Sequence, residues 1–315
     1  MCQLNCAPGQ CLKGQSLEIG GFAMRVILAT DFSPASNAVI DEFKSRSWPA
    51  GSEALLLHVV DVMVGGPGRM DLTPYIQKET VEAKVQLKTI AAQLSTASIT
   101  VSTDVIDGHS AVLVADYAKD WNADLIMVGS HGQNALTRFL LGSVAASTLR
   151  HAHCSVELVR PRAAGRSAAG MRLLLATDGS EHSKLAAQSI ARLPWPKDSE
   201  IEILSVAGFS TPPIGSEYVP PTIVDKLLDD SLKESWGLVE QSKLIIEPTG
   251  LKIFPKVITG LPKAVIVAEA DDWRADLVIL GSHGRRGLER ILVGSVSESV
   301  AIHAHCSVEV VRRQS

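Results

Sequence analysis

Short apolar runs alternate with longer amphipathic ones along most of this chain. Arg25–Thr30 is almost uninterruptedly apolar and stops at Asp31. Such a run predicts a strand buried on both faces of a parallel sheet. Pro34–Arg46 follows as a helix, with Ser33 placed to cap it. Glu53–Val62 predicts a second strand. In Pro74–Leu94, residues Leu87, Ile90, Ala91 and Leu94 fall on one helical face. Thr100–Ile106 is a third strand, Ser110–Trp121 a helix and Asp124–Val128 a fourth strand. Gly142–His151 is a helix and Ser155–Arg160 a fifth strand. The order then begins again, with strands expected at Arg172–Thr177, Glu200–Val206, Lys252–Ile258, Asp276–Leu280 and Ser307–Arg312. Strands alternating with helices predict the α/β class, a parallel sheet with helices on both faces.

The restart is a duplication. MRVILATDFS (24–33) matches MRLLLATDGS (171–180), and WNADLIMVGSHG (121–132) matches WRADLVILGSHG (273–284). HAHCSVELVR (151–160) matches HAHCSVEVVR (303–312). From Ile106 to Arg160, roughly half the positions are identical to those 152 residues later. The sequence therefore predicts two sister domains, 24–160 and 171–313. PRAAGRSAAG (161–170) lies between them as a linker of small residues, Pro and Gly. A chain of 315 residues is comfortable for two domains.

Composition narrows the function. Hydrophobic residues make up 46%, enough for a core in each half, and the formal net charge is −4. No basic run or basic–aromatic cluster points to nucleic acid. No apolar run approaches the ~18 residues of a membrane helix. Residues 1–23 lack the charged start and long apolar core of a signal peptide and are read as a disordered tail. Their Cys2, Cys6 and Cys11 fit no common zinc spacing. Cys154 and Cys306 occupy matching places in the two halves and read as buried strand cysteines, not a disulfide framework. The expected setting is the reducing cytoplasm.

The chemistry gathers in one duplicated phrase. GSHGQNALTRFLLGS (129–143) and GSHGRRGLERILVGS (281–295) each place Gly, two residues, Gly, nine residues and Gly-Ser after the fourth strand. Ligands of open α/β sheets bind beyond the carboxyl ends of the strands. There the phrase meets Asp31 or Asp178, at the end of the first strand. Glycines let backbone N–H groups approach an anion closely, and a helix start adds further donors and a positive dipole end. The arrangement suits a phosphate. Ser143 and Ser295 offer hydroxyls, and the Asp can accept from a ribose hydroxyl or hold a divalent metal. Read structurally, the same glycines are turns and caps. Their recurrence together with the Asp favours the ligand. GQCLKGQS (9–16) has Walker spacing but Gln15 where a lysine is needed, and no GxGxxG follows a first strand.

These residues resemble the universal stress protein family, whose nucleotide-binding members carry G-x2-G-x9-G-[ST] after the fourth strand and commonly D-G-S after the first. Gly129, Gly132, Gly142 and Ser143 match, as do Gly281, Gly284, Gly294 and Ser295. Asp178-Gly179-Ser180 fits, whereas Asp31-Phe32-Ser33 departs at its middle position. The resemblance covers nearly all of 24–313 and implies a tandem member. It implies two open, Rossmann-like parallel sheets of five strands, each in the order 3-2-1-4-5. It implies ATP, with Mg a possible companion. The phosphates would lie on the glycine phrase, lined also by Val144 and Val296, and the ribose near the Asp. Adenine would lie by Val59-Val60 and Ser205-Val206. Family members often dimerise through the fifth strand, so here Val156–Arg160 and Val308–Arg312 are expected to pair as an internal pseudo-dimer, with a further homodimer open.

The halves differ. Arg285, Arg286 and Arg290 are available to phosphate charge in the second, or form a solvated turn, while Gln133, Asn134 and Ala135 stand in the first. His131 and His283 inside the phrase are turn residues or phosphate-edge contacts. His151, His153, His303 and His305 resemble metal ligands in type but sit where a helix ends, which suits the helix dipole. The Pro/Gly-rich loops 64–70 and 208–221 are lids or disordered segments. No positioned base or catalytic lysine is apparent. The reading is an ATP-binding regulatory module for stress survival acting on protein partners, with nucleotide held at the glycine phrase of one or both domains, the first being the weaker or purely structural one. A slow ATPase and a nucleotide-free interaction protein are the alternatives.

Overall fold

The computed structural model of the chain describes residues 23–61, 73–96, 98–131, 141–162, 170–208, 221–284 and 293–313. The first half runs β1 (Arg25–Ala29), α1 (Pro34–Ser45), β2 (Ser52–Asp61), α2 (Thr73–Leu94), β3 (Ile99–Gly108), α3 (Ser110–Asp120), β4 (Leu125–Gly129), α4 (Ser143–His151) and β5 (Ser155–Val159). The second repeats it as β6 (Arg172–Ala176), α5 (Glu181–Arg192), β7 (Glu200–Ala207), α6 (Pro221–Ile246), β8 (Lys252–Thr259), α7 (Pro262–Asp272), β9 (Leu277–Gly281), α8 (Ser295–His303) and β10 (Ser307–Val311).

Each half is parallel in the expected order, β3-β2-β1-β4-β5 and β8-β7-β6-β9-β10. The expected pairing of the fifth strands is present, and it joins the two five-stranded sheets into one sheet of ten strands among the described residues. β5 and β10 pair antiparallel, with Val156 opposite Val310, Glu157 opposite Glu309 and Leu158 opposite Val308. Both strands are otherwise bare edges, and joining them satisfies two rows of backbone groups. Thr30 and Thr177 fall just outside β1 and β6, yet their N–H groups still donate to Leu57 and Leu204 carbonyls at 3.0 and 2.9 Å.

Burial explains the apolar runs. Val26, Ile27, Leu28, Leu173, Leu174 and Leu175 are fully buried, because helices cover both faces. On one face α3, α4, α7 and α8 share a continuous core in which Val156 and Leu158 meet Val308 and Val310. On the other, the core under α1 and α2 includes Leu193 of the second half, and the core under α5 and α6 stays separate. Trp195 packs against both. The W-x-A-D repeat also has a structural role. Asp124 Oδ2 accepts from the Arg25 N–H at 2.6 Å and Asp276 Oδ2 from the Arg172 N–H at 2.8 Å, fixing where the first strand of each half begins.

The expected strand cysteines lie just ahead of β5 and β10, Cys154 buried and Cys306 half-buried, both free thiols. Burial pushes each thiol up to about 12. The tail cysteines lie outside the described residues, as does most of the linker. Among the described residues no helix is long and apolar enough to cross a membrane.

Candidate functional site

Three segments of each half converge at the carboxyl edge of the sheet. The first is the turn after β1 or β6. Asp31 Oδ1 accepts from the Ser33 N–H and Asp178 Oδ1 from the Ser180 N–H, both at 3.0 Å. Ser33 and Ser180 then cap α1 and α5, accepting from Ser36 and Ser183 at 3.2 Å. The Asp is thus held at the sheet edge with its other oxygen directed elsewhere.

In the second half that direction is visible. A Cβ added to Gly284 would stand 2.7 Å from Asp178 Oδ2. The middle glycine of the phrase therefore passes directly over the carboxylate, and Ser180 Oγ donates to the His283 carbonyl at 3.1 Å to hold the two segments together. Gly132, the first-half counterpart, lies outside the described residues, as do Gln133, Asn134, Ala135, Arg285, Arg286 and Arg290.

The other glycines serve different needs. A Cβ on Gly281 would reach 2.5 Å from the His182 backbone, and one on Gly129 would reach 2.9 Å from that of Ala35. The first glycine of each phrase lets a strand end pass under the first turn of α5 or α1, which is a packing requirement. The last glycine caps a helix. Gly142 and Gly294 are the N-caps of α4 and α8 and supply no side chain, unlike Ser33 and Ser180. Their N–H groups donate to the Ser130 and Ser282 carbonyls at 2.9 and 2.7 Å, folding the phrase back on the strand end. Ser143 and Ser295 stand exposed at the first helical position beside the half-buried Val144 and Val296. The two helix starts therefore present backbone donors and hydroxyls at the same edge as the Asp.

The second strand sorts the four residues expected near a base. Val59 and Val206 are half-buried and face the core under α3 and α7, alongside Val144 and Val296. Val60 and Ser205 are 1% and 2% exposed. Pairing aligns Ala29 with Leu57 and Ala176 with Leu204, so Val59 corresponds to Val206 and His58 to Ser205. The two expected pairs were one residue out of step, and one step turns a side chain to the other face. Ile106 and Ile258, register partners of Val59 and Val206, line the same apolar end. Two residues beyond them the chain leaves β3 and β8 through Gly108 and Gly260, whose φ of +141° and +154° suit glycine alone. These four were missed, although I-x-G stands in both halves.

The histidines separate by role. His58 Nδ1–H donates to the Thr30 carbonyl at 2.8 Å and its ring packs 4.7 Å from that of Phe32. His182 and His283 rings lie 5.1 Å apart. Burial first, then His283 and Arg313, push His182 below its ordinary value. His151 and His303 donate to Ser147 and Ser299 carbonyls at 2.9 and 2.8 Å in their own helices. Among the described residues no group of three His, Cys, Asp or Glu is placed to hold a metal.

The family model described as the universal stress protein family matches residues 23–160 and again 171–312. The chain belongs to the universal stress protein family. A universal stress protein of Mycolicibacterium smegmatis is 27% identical over 296 residues, spanning 91% of this chain and 96% of its own. One from Methanocaldococcus jannaschii is 35% identical over 143 residues, 45% of this chain and 82% of its own. Among solved structures, a universal stress protein from Archaeoglobus fulgidus has the same fold at a TM-score of 0.64 and 21% identity. It matches over 94% of this chain and 98% of its own. A universal stress protein solved in complex with cAMP matches 46% of this chain and 98% of its own, at 21% identity and a TM-score of 0.33.

Proposed function

We propose that this tandem universal stress protein is an ATP-binding regulatory module, with one nucleotide at the carboxyl edge of each domain. The observation that carries the reading is the close approach of Gly284 to the Asp178 carboxylate, where a Cβ would stand 2.7 Å from Oδ2, beside a helix that opens on Gly294-Ser295. A ribose and a phosphate chain need these groups side by side: an acidic acceptor for hydroxyls, and backbone donors on a surface without Cβ atoms. The residues proposed to hold the nucleotide are Asp31, Val59, Gly129, Gly132, Gly142, Ser143 and Val144, and Asp178, Val206, Gly281, Gly284, Gly294, Ser295 and Val296. The apolar end formed by Val59 with Ile106, or Val206 with Ile258, suits the face of a base. Gly129 and Gly281 act by letting the strand end pass under a helix. Val60 and Ser205, which the resemblance also placed at the base, are buried and would meet it through their backbone groups. The nucleotide would supply a ligand-dependent state of the edge rather than a reaction. Mg would accompany the phosphates, and the cytoplasm is the compartment the reading expects.

Calorimetric titration of the full chain with ATP, with and without Mg, tests this. A carboxylate at a first helical position favours the helix dipole while repelling a phosphate, so Ser143→Glu and Ser295→Glu should leave the fold intact and each abolish one site. Titration with cAMP identifies a site that accepts a cyclic phosphate instead. Absence of binding by folded wild type defeats the reading and leaves a nucleotide-free interaction protein.

A further inference from the structure

The seam between the two halves carries chemistry that the nucleotide reading does not use. Glu157 of β5 and Glu309 of β10 are register partners, 0% and 3% exposed. Carboxylates directly opposite on antiparallel strands repel, and burial makes an unbalanced charge costly. Charged and polar groups reach the pair from each element packed on that face. From the C-cap of α1, Arg46 grips Glu157 through Nη1 and Nη2 at 2.8 and 2.6 Å and also holds Glu42 of α1 at 2.8 Å. From the segment after β5, Arg162 meets Glu42 at 2.9 Å. From α5 comes the Ser189 hydroxyl, donating to Glu309 at 3.2 Å. Lys184 and Arg192 of α5 lie on its exposed side, and the flanking strand partners are Met127 and Ile279.

The two halves are unequal here. Trp48 and Trp195 are counterparts, each donating its indole N–H to a carbonyl five residues back. Counting back from them, Arg46 corresponds to Leu193 and Glu42 to Ser189. The first domain brings a guanidinium to its carboxylate, while the second brings a hydroxyl to its own. Among the described residues no ion pair reaches Glu309, so the cluster holds three carboxylates against Arg46 and the part-exposed Arg162. One negative charge is in excess, and one proton balances it.

We propose that the seam is a proton-operated joint, in which Glu157 and Glu309 share one buried proton, the two domains dock most firmly while it is held, and docking loosens as it leaves. Arg46 occupies both oxygens of Glu157, so Glu309 is the natural holder, although the titration belongs to the pair. Burial, before any other cause, raises both groups, Glu157 to about 7. A carboxyl raised on folding contributes stability that is complete below its unfolded value and disappears as pH climbs through its folded value. The seam should therefore weaken between about pH 5 and pH 8. Arg46 holds Glu42 in the opposite sense, so its contribution is lost only at lower pH. The consequence reaches the glycine phrases, because Ser130 and Ser282 N–H groups donate to Val159 and Val311 carbonyls at 3.0 and 2.9 Å, two residues beyond the carboxylates.

Hydrogen exchange of the full-length protein tests the proposal. Protection of β5 and β10 amides, relative to β1 and β6 amides of the same sample, should fall about tenfold or more between pH 5.5 and 8. Glu309→Gln, which carries no proton to lose, should keep the seam protected at pH 8 and remove the slope. Seam protection that follows the central strands at every pH in the wild type overturns the joint, even if the variant does not fold. A Glu309→Gln slope equal to the wild type overturns it as well.

Discussion

Phe32 shows what one residue changes between sister sites. It holds φ +59° where its counterpart Gly179 holds +76°. A side chain in the left-handed region costs about 1–2 kcal/mol, and the tilted contact with His58 returns part of that. Phe32→Ala should lose the contact and keep the strain, while Phe32→Gly loses the contact and relieves the strain. The Gly variant should then be more stable than the Ala variant by about 1 kcal/mol in urea unfolding, and equal stabilities would contradict the backbone argument. At this scale much of the site was legible, because the Asp and Gly-Ser residues recur in one frame. What a glycine is for was not. Gly281 meets a helix backbone, Gly284 a carboxylate and Gly294 a turn carbonyl, and each demand comes from a segment distant in the chain. The alternation of faces along β2 and β7 was equally hidden until the register against β1 and β6 was known.

The elements were readable to within a residue or two, since buried strands and amphipathic helices write different periods. Their joints were less so. Arg160 and Arg312 read as matching strand ends, but each reaches across the seam. Arg160 Nη2 donates to the Ala301 carbonyl at 2.6 Å, in the last turn of α8, and its Nη1 to the Cys306 carbonyl at 3.0 Å, just ahead of β10. Arg312 donates to the Leu149 carbonyl and, at 2.8 Å, to Ala152, at the end of α4. Each domain thus caps the last helix of its sister with a cation at the negative end of the dipole. Charge-assisted bonds of this kind are worth about 1.5–3 kcal/mol. Arg160→Met and Arg312→Met should each lower unfolding stability by about 2 kcal/mol. Their costs should be nearly additive if no shared partner couples them. Losses below about 0.5 kcal/mol would contradict the capping argument.

Across the whole molecule, the ten strands form one sheet, and on one face one core runs beneath helices of both halves. The duplication in the sequence announced two domains, and the family resemblance added that their fifth strands pair. What lies beneath the joined strands was not legible, since the partner of Glu157 at the C-cap of α1 lies 111 residues away. A shared core couples the halves energetically, so full-length protein should unfold in one transition by far- and near-ultraviolet circular dichroism. Leu158 is fully buried at the seam opposite Val308. Leu158→Asp places an unpaired carboxylate there, at a cost of several kcal/mol, and strikes β5 and the joint while sparing the separate core under α5 and α6. The transition should divide, the first domain melting before the second, with the two urea slopes summing to the wild-type value. One transition merely shifted to lower denaturant would mean that the halves stand or fall together whatever is done to the seam.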